Sequence, residues 1–166
     1  MNAATARLTL SLASAGVGAT LACGEAGDDR CGPRQAVVAR VIDGDTVELD
    51  DGQRVRYLLI DTPESTQGKN DCYGHEASDF NRQLVEGRTV SLSYDEVCTD
   101  DYDRLLAYVS IDGRDVNALM VERGFACVLQ IPPNGQQRID AFEDLEYAAQ
   151  QGMVGLWGAC DEVTCD

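Results

Sequence analysis

The sequence predicts a mixed α+β fold, mainly β, in which a five-stranded β-barrel carries three helices. Three observations predict it: five short β-branched or alternating runs, turn dipeptides between them, and three stretches of helical apolar spacing. The first of those helices falls between the third and fourth strands. With 166 residues the chain is long enough for one core and short for two, and 44% hydrophobic residues supply that core.

Residues 36–42 (AVVARVI) and 46–50 (TVELD) are β-branched runs, and Asp51-Gly52 supplies a hairpin turn. Residues 53–60 (QRVRYLLI) alternate Val55, Tyr57 and Leu59 against Arg54, Arg56 and Leu58. A polar loop, 61–73, precedes a helix over 74–87, where Ala77, Phe80 and Leu84 share a face and Gly87 stops the run. Strand character returns at 88–95 and 104–111, around an acidic loop at 96–103, and Asp112-Gly113 marks another turn. A short helix is expected at 115–123, ended by Gly124, and then a brief extended piece, FACVLQI (125–131). Pro132-Pro133-Asn134-Gly135 breaks the chain before a last helix over 136–151, with Ile139, Phe142, Leu145 and Ala149 on one side. Trp157, in GLWG, is read as an anchor that docks the C-terminus. The order βββ-α-ββ-α-α fits a closed or nearly closed OB-fold barrel, which avoids exposed sheet edges.

The first 23 residues have a different character: Arg7, then an apolar and small-residue stretch ending at Cys23. They read as an export signal, and Thr20-Leu21-Ala22-Cys23 is similar to a bacterial lipobox, in which the cysteine at the cut carries lipid. Ordinary cleavage nearby would instead leave Cys23 as a thiol or disulfide partner. Residues 24–35 are Gly-, Pro- and charge-rich and read as a tether, 36–160 as the domain, and 161–166 as a short tail. After residue 24 no apolar run is long enough to cross a bilayer. Seven cysteines leave six once Cys23 is set aside; in an oxidising compartment they are expected as three disulfides, with fifteen connectivities open.

Charge bounds the function: 13 Lys+Arg against 29 Asp+Glu leave −16, and Lys69 is the one lysine. Such a balance argues against a tight, processive polyanion binder, because non-specific binding rests on a basic surface that releases counterions. It leaves room for an enzyme whose site a divalent cation and two arginines make locally positive.

Three clusters could carry chemistry: Asp43-Gly44-Asp45-Thr46 at a strand junction, Arg56 followed by Asp61-Thr62-Pro63-Glu64, and Asp103-Arg104 opening a strand. Singly, each reads as a turn, a loop start or a surface ion pair. Arg56 and Asp61 are five apart, so a period-2 strand would point them to opposite faces; a bend or strand end near 60–61 is required, and Pro63 is placed to provide it.

Taken together the stretches VIDGDTVEL (41–49), VRYLLIDTPE (55–64), YGHEAS (73–78), YDRLLAYV (102–109) and GLW (155–157) closely resemble the staphylococcal nuclease family. The resemblance implies an OB-fold, calcium-dependent nuclease that hydrolyses DNA and RNA phosphodiesters and leaves 3′-phosphates. It makes Asp45 and Asp61 the Ca²⁺ carboxylates and the Thr62 backbone carbonyl a further ligand. Glu64 becomes the base or water-positioner, and Arg56 and Arg104 the phosphate clamp. The chemistry agrees: a hard cation takes oxygen ligands, and planar guanidinium groups match charge building on phosphoryl oxygens. Tyr102 corresponds to a tyrosine that touches phosphate or sugar. Asp43 is left aside as a turn or supporting carboxylate, and His75, the one histidine, as a helix-start residue. Two departures weaken substrate affinity: Asp101 stands where relatives can carry lysine, and VLQIPPN (128–134) lacks the tyrosines on which a base stacks. A Cys72–Cys98 bond, flanking the loops that bear the site, is one expectation for the cysteines.

The protein expected is thus an exported bacterial nuclease, secreted or lipid-anchored and monomeric, acting on DNA, RNA or both. The competing readings are a non-catalytic OB-fold module that binds nucleic acid or protein, and a calcium-binding surface protein; no twelve-residue calcium loop supports the latter.

Overall fold

The computed structural model describes residues 31–66 and 68–165. The signal-like segment, Cys23 and the first part of the expected tether lie outside the described residues.

β1 (Gln35–Val41), β2 (Thr46–Leu49) and β3 (Arg54–Tyr57) form an antiparallel meander. After β4 (Ile60–Asp61) and α1 (Gly74–Val85), the chain returns as β5 (Thr89–Thr99) beside β1 and turns back as β6 (Leu105–Ile111). β6 also pairs in parallel with β3, Arg56 facing Leu106 in register, so the order β3-β2-β1-β5-β6 closes into a five-stranded barrel. β7 (Arg114–Asp115), α2 (Val116–Glu122), β8 (Cys127–Val128), α3 (Ile139–Gln151) and the one-turn α4 (Leu156–Ala159) complete the fold.

Val38, Val47, Val55, Val90, Ala107 and Val109 point inward, each at most 1% exposed, which is the alternation a half-buried strand demands. Ala77 and Val85 of α1, Met120 of α2 and Phe142 of α3 pack on that cluster. α2 starts where expected because Asp115 caps it, accepting the Ala118 N–H at 3.0 Å. Trp157 lies against the fold as expected, but its buried Nε1 has no hydrogen-bond partner among the described residues.

The break after the third strand comes at Leu58–Leu59, slightly before the expected place, with Leu59 at φ 64°. Three contacts hold this turn: Asn117 Nδ2 donates to the Leu58 carbonyl at 2.9 Å, Leu129 N–H to the Leu59 carbonyl at 3.0 Å, and Gly135 packs on the Leu59 side chain. A Cβ on Gly135 would lie 2.3 Å from Leu59 Cδ2, so that position has no room for a side chain. β5 runs past 95 to Thr99, because the buried Asn134 side chain stands in for a strand neighbour, bonding Val97 N–H and carbonyl at 2.8 and 2.9 Å. The last helix starts at Ile139 rather than 136, after a turn in which Arg138 and Ile139 N–H both reach the Gly135 carbonyl.

Both ends of the described domain are tied down more than their composition suggests. Residues 31–34, expected as tether, join the barrel: Tyr94 donates to the Pro33 carbonyl at 2.7 Å and Leu92 N–H to the Arg34 carbonyl at 2.8 Å. The disulfides are Cys31–Cys98, Cys72–Cys160 and Cys127–Cys165. The expected Cys72–Cys98 bond is therefore wrong. Cys98, on β5, meets the N-terminal entry to the barrel, while Cys72, just before α1, meets the residue after α4.

Candidate active site

Asp45 sits in the β1–β2 turn and Asp61 on β4, with β2 and β3 between them in the chain; the turn at Leu58–Leu59 brings them to one guanidinium. Arg56 Nη1 lies 2.9 Å from Asp45 Oδ2, and Nη2 lies 2.6 Å from Asp61 Oδ1. Nη1 also donates to the Ile60 carbonyl at 2.8 Å and the Tyr57 carbonyl at 3.2 Å, so Arg56 is clamped by the turn it spans. All three side chains are at least four-fifths buried.

The two ligand-bearing loops are joined directly as well. Thr62 donates its N–H and hydroxyl to Asp45 Oδ2 at 2.9 and 3.1 Å, and Thr46 donates its hydroxyl to Asp45 Oδ1 at 3.1 Å. Gly44 explains itself here: a Cβ would sit 2.6 Å from Thr62 Oγ1, so the loops approach this closely only without one. Asp43 Oδ1 accepts the Asp45 N–H at 3.2 Å and closes the turn. Burial, reinforced by the adjacent Asp45 charge, pushes the Asp43 carboxyl up to about 7. Negative charge is thus crowded into a poorly solvated corner.

Glu64 follows three residues after Asp61. Its backbone is fixed by Asp71, whose N–H donates to the Glu64 carbonyl at 2.9 Å and whose carboxylate accepts the Glu64 N–H at 3.3 Å. The N-terminus of α1 lies directly against it: a Cβ on Gly74 would come within 2.7 Å of the Glu64 carbonyl oxygen. Thr66 Oγ1 donates to Glu64 Oε2 at 3.1 Å.

Arg104 opens β6. Its N–H and Nε donate to the Asp100 carboxylate at 3.0 and 2.7 Å, and its guanidinium carbon lies 5.4 Å from the Tyr102 ring centre. Arg104 and Arg56 line one cleft of 390 Å³, with Leu106, Ile131 and Pro132 among its apolar wall and Tyr102, 81% exposed, at its mouth. The structure therefore brings Asp45, Asp61, Thr62 and Arg56 into direct contact, and joins Arg104 and Tyr102 to them through the cleft that Arg56 lines. Glu64 shares the segment of Asp61 and Thr62, and His75 is exposed in the first turn of α1. Among the described residues no three carboxylate, histidine or cysteine side chains cluster as a ready-made metal cage.

Sequence reasoning missed three contributors. Asp100 is the partner of Arg104, hidden in an acidic run that reads as solvated surface. Asn81 and Tyr57 form a buried pair behind the Asp43–Asp45 turn; the available signal was a polar residue four after Ala77 on the apolar face of α1.

Residues 54–159 match the family described as Staphylococcal nuclease homologue. Endonuclease YncB of Bacillus subtilis (strain 168) is 38% identical over 132 residues, 75% of this chain and 62% of that protein. SPbeta prophage-derived endonuclease YokF of the same organism is 37% identical over 132 residues, 75% of this chain and 44% of that protein, so the chain spans less than two thirds of the length of these two relatives. Thermonuclease of Staphylococcus intermedius is 37% identical over 126 residues, 73% of this chain and 74% of that protein. The match spans β3 to α4, including Arg56, Asp61, Glu64 and Arg104, and the chain belongs to the staphylococcal nuclease homologue family.

Proposed function

We propose that the protein is an exported, calcium-dependent nuclease that hydrolyses phosphodiester bonds of DNA, RNA or both, leaving 3′-phosphates. The observation that carries the reading is Arg56, which holds Asp45 and Asp61 on one side and lines the cleft of Arg104 on the other. The relatives named endonuclease and thermonuclease support it.

The donor set suits a divalent cation. Asp45 and Asp61, on different loops, converge on a single positive charge, the Arg56 guanidinium, so two carboxylates already meet at one point of positive charge. Asp45, Asp61 and the Thr62 carbonyl would hold Ca²⁺, an oxygen-seeking ion that keeps waters when the protein supplies few ligands. Bound there, it would supply Lewis acidity toward a phosphoryl oxygen. Glu64, fixed by Asp71 and the start of α1, orients the attacking water and takes its proton. Arg56 and Arg104 bind the phosphate; Nε of Arg104 is engaged by Asp100, which leaves its terminal Nη groups for the phosphoryl oxygens and their growing charge. Export is supported by pairing of all six described cysteines, the behaviour of an oxidising compartment.

The test is a plasmid-nicking assay with Ca²⁺, Mg²⁺ or chelator, beside Glu64→Gln and Arg104→Ala. Cleavage in Ca²⁺, lost with chelator and reduced at least about 100-fold by either substitution, is the expected outcome. Tight binding of nucleic acid without cleavage would identify a binding module instead.

A further inference from the structure

Behind the Asp43–Asp45 turn lies a buried polar pair. Asn81 of α1 is 0% exposed and Tyr57 of β3 is 2% exposed. The Tyr57 hydroxyl donates to Asn81 Oδ1 at 3.1 Å, and Asn81 Nδ2 donates to the Asp43 carbonyl at 3.4 Å. On the other side of the same turn, the Tyr57 N–H donates to the Asp45 carbonyl at 2.8 Å. Tyr57 thus holds the turn twice, once through its backbone and once through Asn81.

The donors are assigned by chemistry. A backbone carbonyl only accepts, so the amide end of Asn81 must face Asp43; its oxygen then faces Tyr57, which must donate. Burial is the main reason the Tyr57 hydroxyl is raised well above its usual range, and the nearby Asp45 and Asp43 charges add to it, so it remains a donor. Burying two such groups has a cost unless each is satisfied, and a valine or leucine pair would fill the space without that cost. Their placement under the turn gives the cost a purpose.

We propose that Tyr57 and Asn81 are positioning residues for the cation-binding turn: Tyr57 orients the Asn81 amide, which holds the Asp43 carbonyl and so aims Asp45. The inference rests on the calcium reading of Asp45 for its functional consequence, but its structural part does not. Asp45 Oδ2 accepts the Thr62 N–H, so the Thr62 amide reports whether Asp45 is held in place.

Tyr57→Phe removes one oxygen and keeps the ring in the core. Tyr94→Phe is the control, since it removes a comparable hydroxyl bond, to the Pro33 carbonyl, away from the turn. In metal-free protein, amide hydrogen exchange at Asp45 and Thr62 should quicken about fivefold in Tyr57→Phe relative to core amides, and stay unchanged in Tyr94→Phe. In calorimetric titration with CaCl₂, Tyr57→Phe should bind about 10-fold more weakly than wild type, with Tyr94→Phe equal to wild type. Asn81→Leu should reproduce both effects if it folds. Unchanged exchange at Asp45 and Thr62 in Tyr57→Phe overturns the inference whatever the titration gives. Quickened exchange with an unaltered calcium affinity overturns the link from the pair to the cation. Wild-type protein that binds no calcium overturns the functional reading, and the exchange result still decides the structural one.

Discussion

Arg56 bridges the two carboxylates proposed to hold the cation, its Nη groups 2.9 Å from Asp45 Oδ2 and 2.6 Å from Asp61 Oδ1. Its side chain is 14% exposed, and those of Asp45 and Asp61 are 7% and 18%, so these ion pairs are only weakly screened. Removing one member of such a buried set leaves charge uncompensated, at a cost of about 3 kcal/mol. Arg56→Gln should therefore lower metal-free stability by about that amount while abolishing nuclease activity. Added Ca²⁺ should raise its Tm more than that of wild type, because the ion then supplies the missing positive charge. Thermal melts with CaCl₂ or chelator check this; an equal Ca²⁺-induced rise in the two proteins would count against a shared site. Tyr57 and Asn81 act at the same scale, but through bonds to the backbone of the turn rather than to its charges.

At the scale of elements, the site is made by three connections: the β1–β2 turn bearing Asp45, the broken strand from Arg56 to Glu64, and the β5–β6 loop bearing Arg104. The last depends on Asp100, which accepts from Arg104 and Tyr102. Burial acts to raise the Asp100 pKa, but the N–H groups and guanidinium of Arg104, with the Tyr102 N–H, outweigh it and hold the carboxyl below 3.8. A folded-state value below the unfolded one means that its contribution is present above about 3.8 and lost as pH falls through the folded value. Acid should thus loosen the Arg104 loop, and Asp100→Asn should make stability less dependent on pH as it falls below 3.8. Melting temperature against pH for both proteins measures it, and parallel curves would remove Asp100 from the loop's support. The same elements show what was legible. The five strands and the main helices follow local periodicity, and the site motifs are contiguous enough to be seen. The parallel β3–β6 closure, the Leu59 turn and the Asn134 clamp on Val97 depend on partners tens of residues away, and local pattern does not carry them. Asp45 and Arg104 could be named from motifs. Asp100, Asn81 and Tyr57 could not, because their roles arise only from where the barrel places them. Cysteine pairing was unreadable for the same reason: each bond spans between 38 and 88 residues.

For the whole molecule, the disulfides and the charge act in opposite senses on the same cleft. Cys127, the register partner of Asp61, is bonded to Cys165, and Cys72, just beyond the Glu64 segment, is bonded to Cys160, so the C-terminus braces the carboxylate side. Net charge of −16 works against the substrate side. Among the described residues, Arg56 and Arg104 are the two cations lining the cleft, and both are already paired with carboxylates; Asp100 and Asp101 stand on its rim. A polyanion approaching this face meets repulsion, which salt screens over about 10 Å at 0.1 M and over shorter distances above that. Proteins that bind nucleic acid through a basic surface lose affinity as salt rises, because counterion release is their driving force. Here the sign should reverse. KM for a long single-stranded DNA should fall as NaCl is raised from about 0.01 to 0.5 M at saturating Ca²⁺, while kcat changes little. Asp101→Lys should lower KM at low salt and restore the ordinary rise of KM with NaCl. Should wild-type KM climb with NaCl from the lowest concentration, the acidic rim would have no say in substrate approach, and the phosphate contacts of Arg56 and Arg104 alone would govern it.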